Sequence, residues 1–544
     1  MVKKSMKKLF VGLAAFSYAV TISASASADV LSTSKNFFQP RAFSANLARE
    51  MMLEGFKHRD SQGWYGEFSA DAVFQRSWTQ GNENGSDVEV ANGLGTFPFW
   101  SGTNVMTVGT NNGLSDLDAY QFGLGNVTDN GSITLNPFVF QTGADFMLVT
   151  GSSANESCFF AKVKAPLGVY NMNPGLVEAP AAPFNYTAGQ FSLATAPTTP
   201  TVNPPAASMT QAFSGNLTGG QAAHNGDFIP MQYGLISSDQ STGARFADIE
   251  MTAGYRFISE KDNSFSVAVR ASAPTGGHAN GVYIIEPIFG RGGSWGLGGY
   301  VDGRVSLWKG DNQNCVDLKV MANAMHLFST DTVRSYDLTA NGGGSKYLLV
   351  GSFNSTPAYQ GVIQNLINVS TLASNSSFAV EGDAVVSLTY VARHFSLDLG
   401  YEFWGRSAET LTISDDAVFA ANTYAVLGRQ QVGIAAASPD NLSTLLCQPN
   451  ATISSSAAAI NSRTAAGSVE TVSTANMVAL ADFNVAGAQQ DTALTSKVFA
   501  KLTYEWIDSN CRPHLGAMGE FEISTSNNNA LPQWAIALMG GVSF

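Results

Sequence analysis

The stretch Gln533-Trp534-Ala535-Ile536-Ala537-Leu538-Met539-Gly540-Gly541-Val542-Ser543-Phe544 changes character at every residue. Successive side chains of an extended chain point to opposite faces, so Trp534, Ile536, Leu538, Gly540, Val542 and Phe544 share one face, and it is apolar. An antiparallel sheet in water hides such a face under a helix or a second sheet. Here the sequence runs out on a bare aromatic residue, and the expected cover is lipid.

Toward the N-terminus the same period recurs in runs of about ten residues, the length of a membrane-crossing strand. Residues 378–390 set Phe378, Val380, Ala384, Val386, Leu388 and Tyr390 against Glu381, Asp383, Ser387 and Thr389. After a turn at Ala392 and Arg393, residues 395–403 set Phe395, Leu397, Leu399, Tyr401 and Phe403 against Ser396, Asp398 and Glu402, which reads as a hairpin. Residues 138–149 with 159–166, 247–257 with 265–273, 297–308 with 316–328 and 498–506 with 515–523 read likewise, and 64–78 supplies a first strand. The total is about twelve strands, even as a single-chain bacterial barrel requires; a weaker pair, 119–125 with 133–135, would make about fourteen. The fold class expected is an all-β transmembrane antiparallel barrel.

Connections alternate in length: 150–157, 258–264, 309–314, 391–394 and 508–510 are short, and 79–137, 167–246, 328–377 and 405–497 are long. Residues 274–296 and 524–532 fall between. The alternation predicts short periplasmic turns and long extracellular loops. The long connections carry stretches such as Thr195-Ala196-Pro197-Thr198-Thr199-Pro200 and Ser454-Ser455-Ser456-Ala457-Ala458-Ala459, whose composition predicts solvated, mobile loops.

A last strand that ends in Phe544, with Val542, Leu538, Ile536 and Trp534 at alternate positions before it, resembles the assembly signal of porin-like Gram-negative outer-membrane β-barrels. Gly540 and Gly541 sit nearer the end than the single Gly of the common pattern. The resemblance implies an outer-membrane location, contact with outer-membrane lipid and lipopolysaccharide, and handling by the barrel assembly machinery.

The other end agrees with export. Lys3, Lys4, Lys7 and Lys8, an apolar run from Leu9 to Ile22 and the small residues Ala26-Ser27-Ala28 predict a secretory signal over 1–28, too short in its apolar run for a spanning helix. Charged residues are scarce at 13%, and no long apolar run follows the signal, which excludes helical membrane insertion. The net charge of −13, more negative once the signal lysines leave, argues against nucleic-acid partners. In 29–62, Phe43, Leu47, Met51 and Met52 recur at helical spacing after Pro40, predicting a short amphipathic helix that either packs in the periplasm or plugs the barrel of 63–544.

Chemistry-bearing motifs are sparse. No histidine has a metal-ligand spacing, and no catalytic, cofactor or metal residues are expected. His394-Phe395-Ser396 resembles the His-X-Ser pair of the outer-membrane phospholipase family, but it lies at a turn and no Asn-Gly follows. His326 and Asp331 lack the paired aspartates of the outer-membrane proteases, and Gly342-Gly343-Gly344 lacks the Lys-Ser/Thr of a phosphate loop. Cys158, Cys315 and Cys511 each open an outward strand, four strands apart, too far for the roughly 7 Å that a disulfide spans. They are therefore idle or available to another chain; Cys447 falls in a long loop.

The faces opposite the lipid carry the charge. Glu381, Asp383, Asp398, Glu402, Glu505, Glu520 and Glu522, with Glu67 and Asp71 brought beside them by closure, predict an acidic wall interrupted by Lys501 alone. Lys162, Lys164, Arg256, Arg270 and Arg304, mixed with Asp248, Glu250 and Asp302, predict a basic wall facing it. These charges line a pore or pair to fill a closed interior. The function expected is a passive channel for small hydrophilic solutes with a modest cation preference, as a monomer or a homo-oligomer. A surface barrel serving adhesion or structure, and a barrel hydrolase, are the alternatives.

Overall fold

The protein was analysed as a computed structural model that describes residues 39, 41–54, 63–78, 99–100, 104–109, 117–124, 131–152, 157–179, 206–217, 228–236, 240–260, 262–310, 314–340, 342–353, 359–426, 477–509, 511–524 and 530–544. The expected signal, Cys447 and the quoted stretches 195–200 and 454–459 lie outside the described residues.

Twelve long strands form the body: β1 (Tyr65–Ser77), β2 (Phe138–Gly151), β3 (Cys158–Asn173), β4 (Ile249–Ser259), β5 (Asn263–Ala273), β6 (Gly296–Lys309), β7 (Cys315–Ser335), β8 (Thr371–Ala392), β9 (Phe395–Arg406), β10 (Ala493–Glu505), β11 (Arg512–Ser524) and β12 (Gln533–Ser543). Each pairs antiparallel with its chain neighbours, and β12 returns to β1 in the register Phe68↔Val542, Ala72↔Leu538 and Phe74↔Ile536. The ring leaves no edge, which is what a sheet in hydrocarbon needs, since an unpaired amide has no water to bond there. Outward positions are apolar and exposed, among them Phe68, Leu148, Val163, Val269, Leu297, Leu388, Leu397, Leu399, Val498, Leu502, Ile536 and Leu538. A closed antiparallel sheet with this exterior is the transmembrane β-barrel of bacterial outer membranes.

All twelve expected strands are present, and the expected option of fourteen is not. Gly131–Leu135 pairs with Val105–Gly109 in a separate four-stranded sheet, and Ala119–Phe122 is a single 3-10 turn. β7 and β8 run well past their expected ends, and their pairing slips between Met325 and Thr330. The slip reverses the face of β8, as a bulge must, because one extra residue exchanges inside for outside. Phe378, expected on the lipid side, is therefore only 2% exposed and lies under the Arg406 guanidinium, 4.5 Å from its carbon, whereas Val380 faces out.

At the other mouth the chain turns between β8 and β9 through Arg393 and His394 alone, with Arg393 at φ 51°, the left-handed conformation that two-residue hairpins demand. Cys158, Cys315 and Cys511 lie at this mouth on β3, on β7 and just before β11, and no disulfide joins them. The long-loop end departs from the expectation of mobile loops wherever it is described. It builds two four-stranded sheets, one from Val105–Gly109, Leu117–Asp118, Gly131–Leu135 and Leu176–Ala179, the other from Phe228–Ile229, Leu349–Phe353, Tyr359–Asn365 and Tyr424–Val426. Tyr336, Leu338, Leu348, Val350, Leu366 and Val478 form a core there that lipid never touches. Apolar residues scattered among many Ser, Thr and Ala gave that core no period to read.

Candidate functional site: a plugged lumen

Among the described residues of the N-terminal segment, helix α1 (Leu47–Leu53) is wholly buried, with its Ncap Asn46 side chain accepting from Arg49 N. The helix lies among inward-facing side chains of the strands. Its backbone meets the wall directly, for Leu47 N donates to Glu402 Oε1 at 3.0 Å and Lys501 Nζ donates to Met52 O. Asn46 Nδ2 donates to both carboxylate oxygens of Glu520, at 3.2 and 3.0 Å.

Charge sorts the segment between two arcs of wall. Arg41 reaches the acidic arc, donating to Glu402 Oε1 at 2.7 Å and Glu522 Oε1 at 2.8 Å, with Asp383 Oδ1 at 3.7 Å. Arg49 reaches it higher in the chain, donating to Gln75 Oε1 at 2.9 Å and to Asp145 Oδ2 at 3.3 Å, with Glu520 Oε1 at 3.5 Å from Nε. The acids of the segment reach the basic arc. Glu50 accepts both guanidinium nitrogens of Arg270, at 3.0 and 2.6 Å, and lies 3.5 Å from Lys164 Nζ, while Glu54 pairs with Lys162. Neighbours on a helix point about 100° apart, so Arg49 and Glu50 serve different arcs without strain.

A second insertion comes from the long-loop end. Arg291, in the connection between β5 and β6, donates to Glu381 Oε1 at 2.6 Å, Glu250 Oε1 at 2.8 Å and Ser272 Oγ at 3.0 Å. The two insertions hold each other. Arg291 Nη1 donates to Ser44 Oγ at 3.2 Å, Gln39 Nε2 donates to Gly290 O at 3.0 Å, and the Phe43 and Phe289 rings lie 5.1 Å apart. Wall and plug are almost wholly buried at this level, whereas Asp302, Arg304 and Lys319 nearer the short-turn mouth are only part buried.

The expected wall charges divide accordingly. Glu402, Glu520, Glu522, Asp383, Lys162, Lys164 and Arg270 meet the segment, and Glu381 meets Arg291. Asp71 Oδ1 accepts from Asp145 N at 2.7 Å. Asp398 pairs with Lys319 at 3.4 Å and Arg304 with Asp317 at 3.4 Å, while Arg256 lies over the Tyr65 ring. Glu67 and Glu505 are buried in the wall, Glu67 accepting from Ser69 Oγ at 3.1 Å. Between the acidic and basic arcs lies the segment itself, paired with both. The acidic arc is also less pure than expected, because Lys497 joins it, 2.8 Å from Glu402 and 3.2 Å from Glu520. Lys497 lies one residue before the expected strand, which in fact begins at Ala493, and the apolar spacing that marks α1 carries no signal for the charges of Arg49 and Glu50.

His394 and Ser396 form no pair. His394 Nδ1 bonds Glu505 O at 2.9 Å, and Ser396 is buried on the inner face of β9. Among the described residues no group of three or more His, Cys, Asp or Glu is arranged to hold a metal.

No family model and no curated protein matches the chain. Several solved structures do. An outer membrane channel from Pseudomonas putida F1 is 9% identical over 90% of this chain and 98% of its own, with a TM-score of 0.35. A FadL homologue from Pseudomonas aeruginosa is 8% identical over 93% and 98%, with a TM-score of 0.26. The toluene transporter TodX of Pseudomonas putida is 8% identical over 94% and 95%, with a TM-score of 0.32. Scores of this size do not bear on what this barrel carries.

Proposed function

We propose that the chain is an outer-membrane channel closed at rest by residues 39 and 41–54, which passes small hydrophilic solutes with a modest cation preference when that segment withdraws. The observation that carries this reading is how the lumen is filled. Burying an ion pair costs several kcal/mol per ion in desolvation and returns no more than apolar packing of the same volume would. A barrel that only had to be filled would be better filled by leucine and valine, yet Arg41, Arg49, Glu50 and Glu54 close this one against charged walls. Charged walls suit a lumen that meets water in another state, and acidic side chains such as Glu67, Asp398 and Glu505, which do not pair with Arg41 or Arg49, favour cations there. The last strand, with Phe544, Val542, Leu538, Ile536 and Trp534 outward, serves on this reading as the handle for the barrel assembly machinery.

Planar-bilayer recording tests the proposal. The parent should show rare openings, and Arg49→Ala, which frees the segment from Asp145 and Glu520, should raise the open fraction. A variant that assembles and never conducts would leave the second reading, a surface barrel whose ordered outer sheets present a binding face. That reading draws on the exposed turn around Val418, 92% accessible on the outer side.

A further inference from the structure

The plug also describes its own replacement. Arg49 and Glu50 place one cation and one anion, a single residue apart, between Asp145 and Glu520 on one side and Arg270 and Lys164 on the other. Both ends are recognised directionally, the guanidinium of Arg49 by two acceptors, from β1 and β2, with the Glu520 carboxylate of β11 3.5 Å from its Nε, and the carboxylate of Glu50 by the two-pronged contact of Arg270. The segment does not use all that the wall offers. Asp71 Oδ2, Asp145 Oδ1 and both amide atoms of Gln141 are buried without a hydrogen-bond partner among the described residues. Gln141 stands directly across from Gln75 and from Tyr170 on the neighbouring strands, and the Tyr170 hydroxyl is likewise unpartnered. Acceptors and donors beyond those that the segment engages thus adjoin the place that it occupies.

We infer that the lumen holds a binding site for dipolar solutes, short peptides above all, whose cationic and anionic groups take the places of Arg49 and Glu50. The inference rests on the channel reading above and names the solute class for it. A singly charged solute satisfies one arc and leaves the other to the segment. A solute with both charges competes for both arcs and displaces the segment as it binds. Passage needs a site favourable enough to enter and weak enough to leave, and the segment, tethered and therefore always present, keeps the net affinity for a free solute low.

The test uses proteoliposome swelling with four capped dipeptides of nearly equal size: acetyl-Arg-Glu-amide, acetyl-Gln-Gln-amide, acetyl-Arg-Gln-amide and acetyl-Gln-Glu-amide. The protein is the parent and the double variant Arg49→Gln with Glu50→Gln, which leaves every wall residue in place. Entry of acetyl-Arg-Glu-amide should be several-fold faster than that of the other three, and faster in the variant than in the parent. If the variant does not assemble, the ranking in the parent alone decides. Equal entry of all four peptides overturns the site and leaves the channel standing. Fastest entry of acetyl-Arg-Gln-amide likewise overturns it, in favour of a plain cation path. Entry of none overturns the site and the channel together.

Discussion

Arg49 is held by side chains from three strands that are far apart in sequence, Gln75, Asp145 and Glu520, and its guanidinium carbon lies 4.6 Å from the centre of the Phe43 ring. Removing one partner of such a buried set strands the others, at a cost of about 3 to 5 kcal/mol. Arg49→Met should therefore lower the unfolding midpoint in denaturant and raise conductance together, whereas a merely structural arginine would change the first alone. On the outside, Leu399 is 55% exposed on the lipid face of β9. Leu399→Arg should cost about 2 to 4 kcal/mol at the membrane midplane, read as lost heat resistance of the folded band on gels. Heat resistance equal to the parent would place that face wrongly. The neighbouring Gly400 faces the lumen, where charge alone would make an arginine tolerable, but a Cβ there would lie 2.2 Å from the Phe499 ring. Gly400→Arg should thus also impair folding, for a steric reason that no reading of period or polarity contains.

Among the elements, strands were legible because a period of two with one lipid face survives even in a weakly apolar sequence, and β9 and β12 read to within a few residues. Phe378 was not legible, since a bulge reverses the face without altering either half of the pattern. The seam between β12 and β1 makes the element-level prediction. Phe544 N donates to Gly66 O and Gly66 N to Phe544 O, each at 2.8 Å, and the Phe544 ring occupies the space that a Cβ on Gly66 would need. Deleting Phe544 removes both of these bonds, so the barrel should form with lower yield, measured as the folded fraction after refolding into lipid vesicles. Gly66→Val should do the same by collision with that ring. A yield equal to the parent in both variants would show that the seam closes without its last rung.

For the whole molecule, the charges of the wall were legible and their partners were not. Strand period fixes which side chains point inward, but what meets them there came from residues 41–54 and from Arg291, which no alternation ties to the wall. This changes how ion selectivity must be tested. Glu381, Asp383 and Glu402 bind Arg291 and Arg41, so neutralising them would loosen the plug as well as alter the field. Glu67, Asp398 and Glu505 are acidic wall residues that do not pair with Arg41, Arg49 or Arg291; Glu67 accepts from Ser69 Oγ at 3.1 Å, and Asp398 has Lys319 at 3.4 Å and Thr389 as a donor. Low-dielectric walls focus the field of such groups into the lumen, so their loss should act on permeant ions with little effect on opening. The triple variant Glu67→Gln, Asp398→Asn and Glu505→Gln should open as often as the parent, while its reversal potential in a potassium chloride gradient moves toward the anion side. The shift should fade above about 1 M salt, where the Debye length falls to about 3 Å. A reversal potential unchanged at low salt would remove the cation preference and leave the gated channel intact; a changed open fraction would instead tie these acids to the hold on the plug.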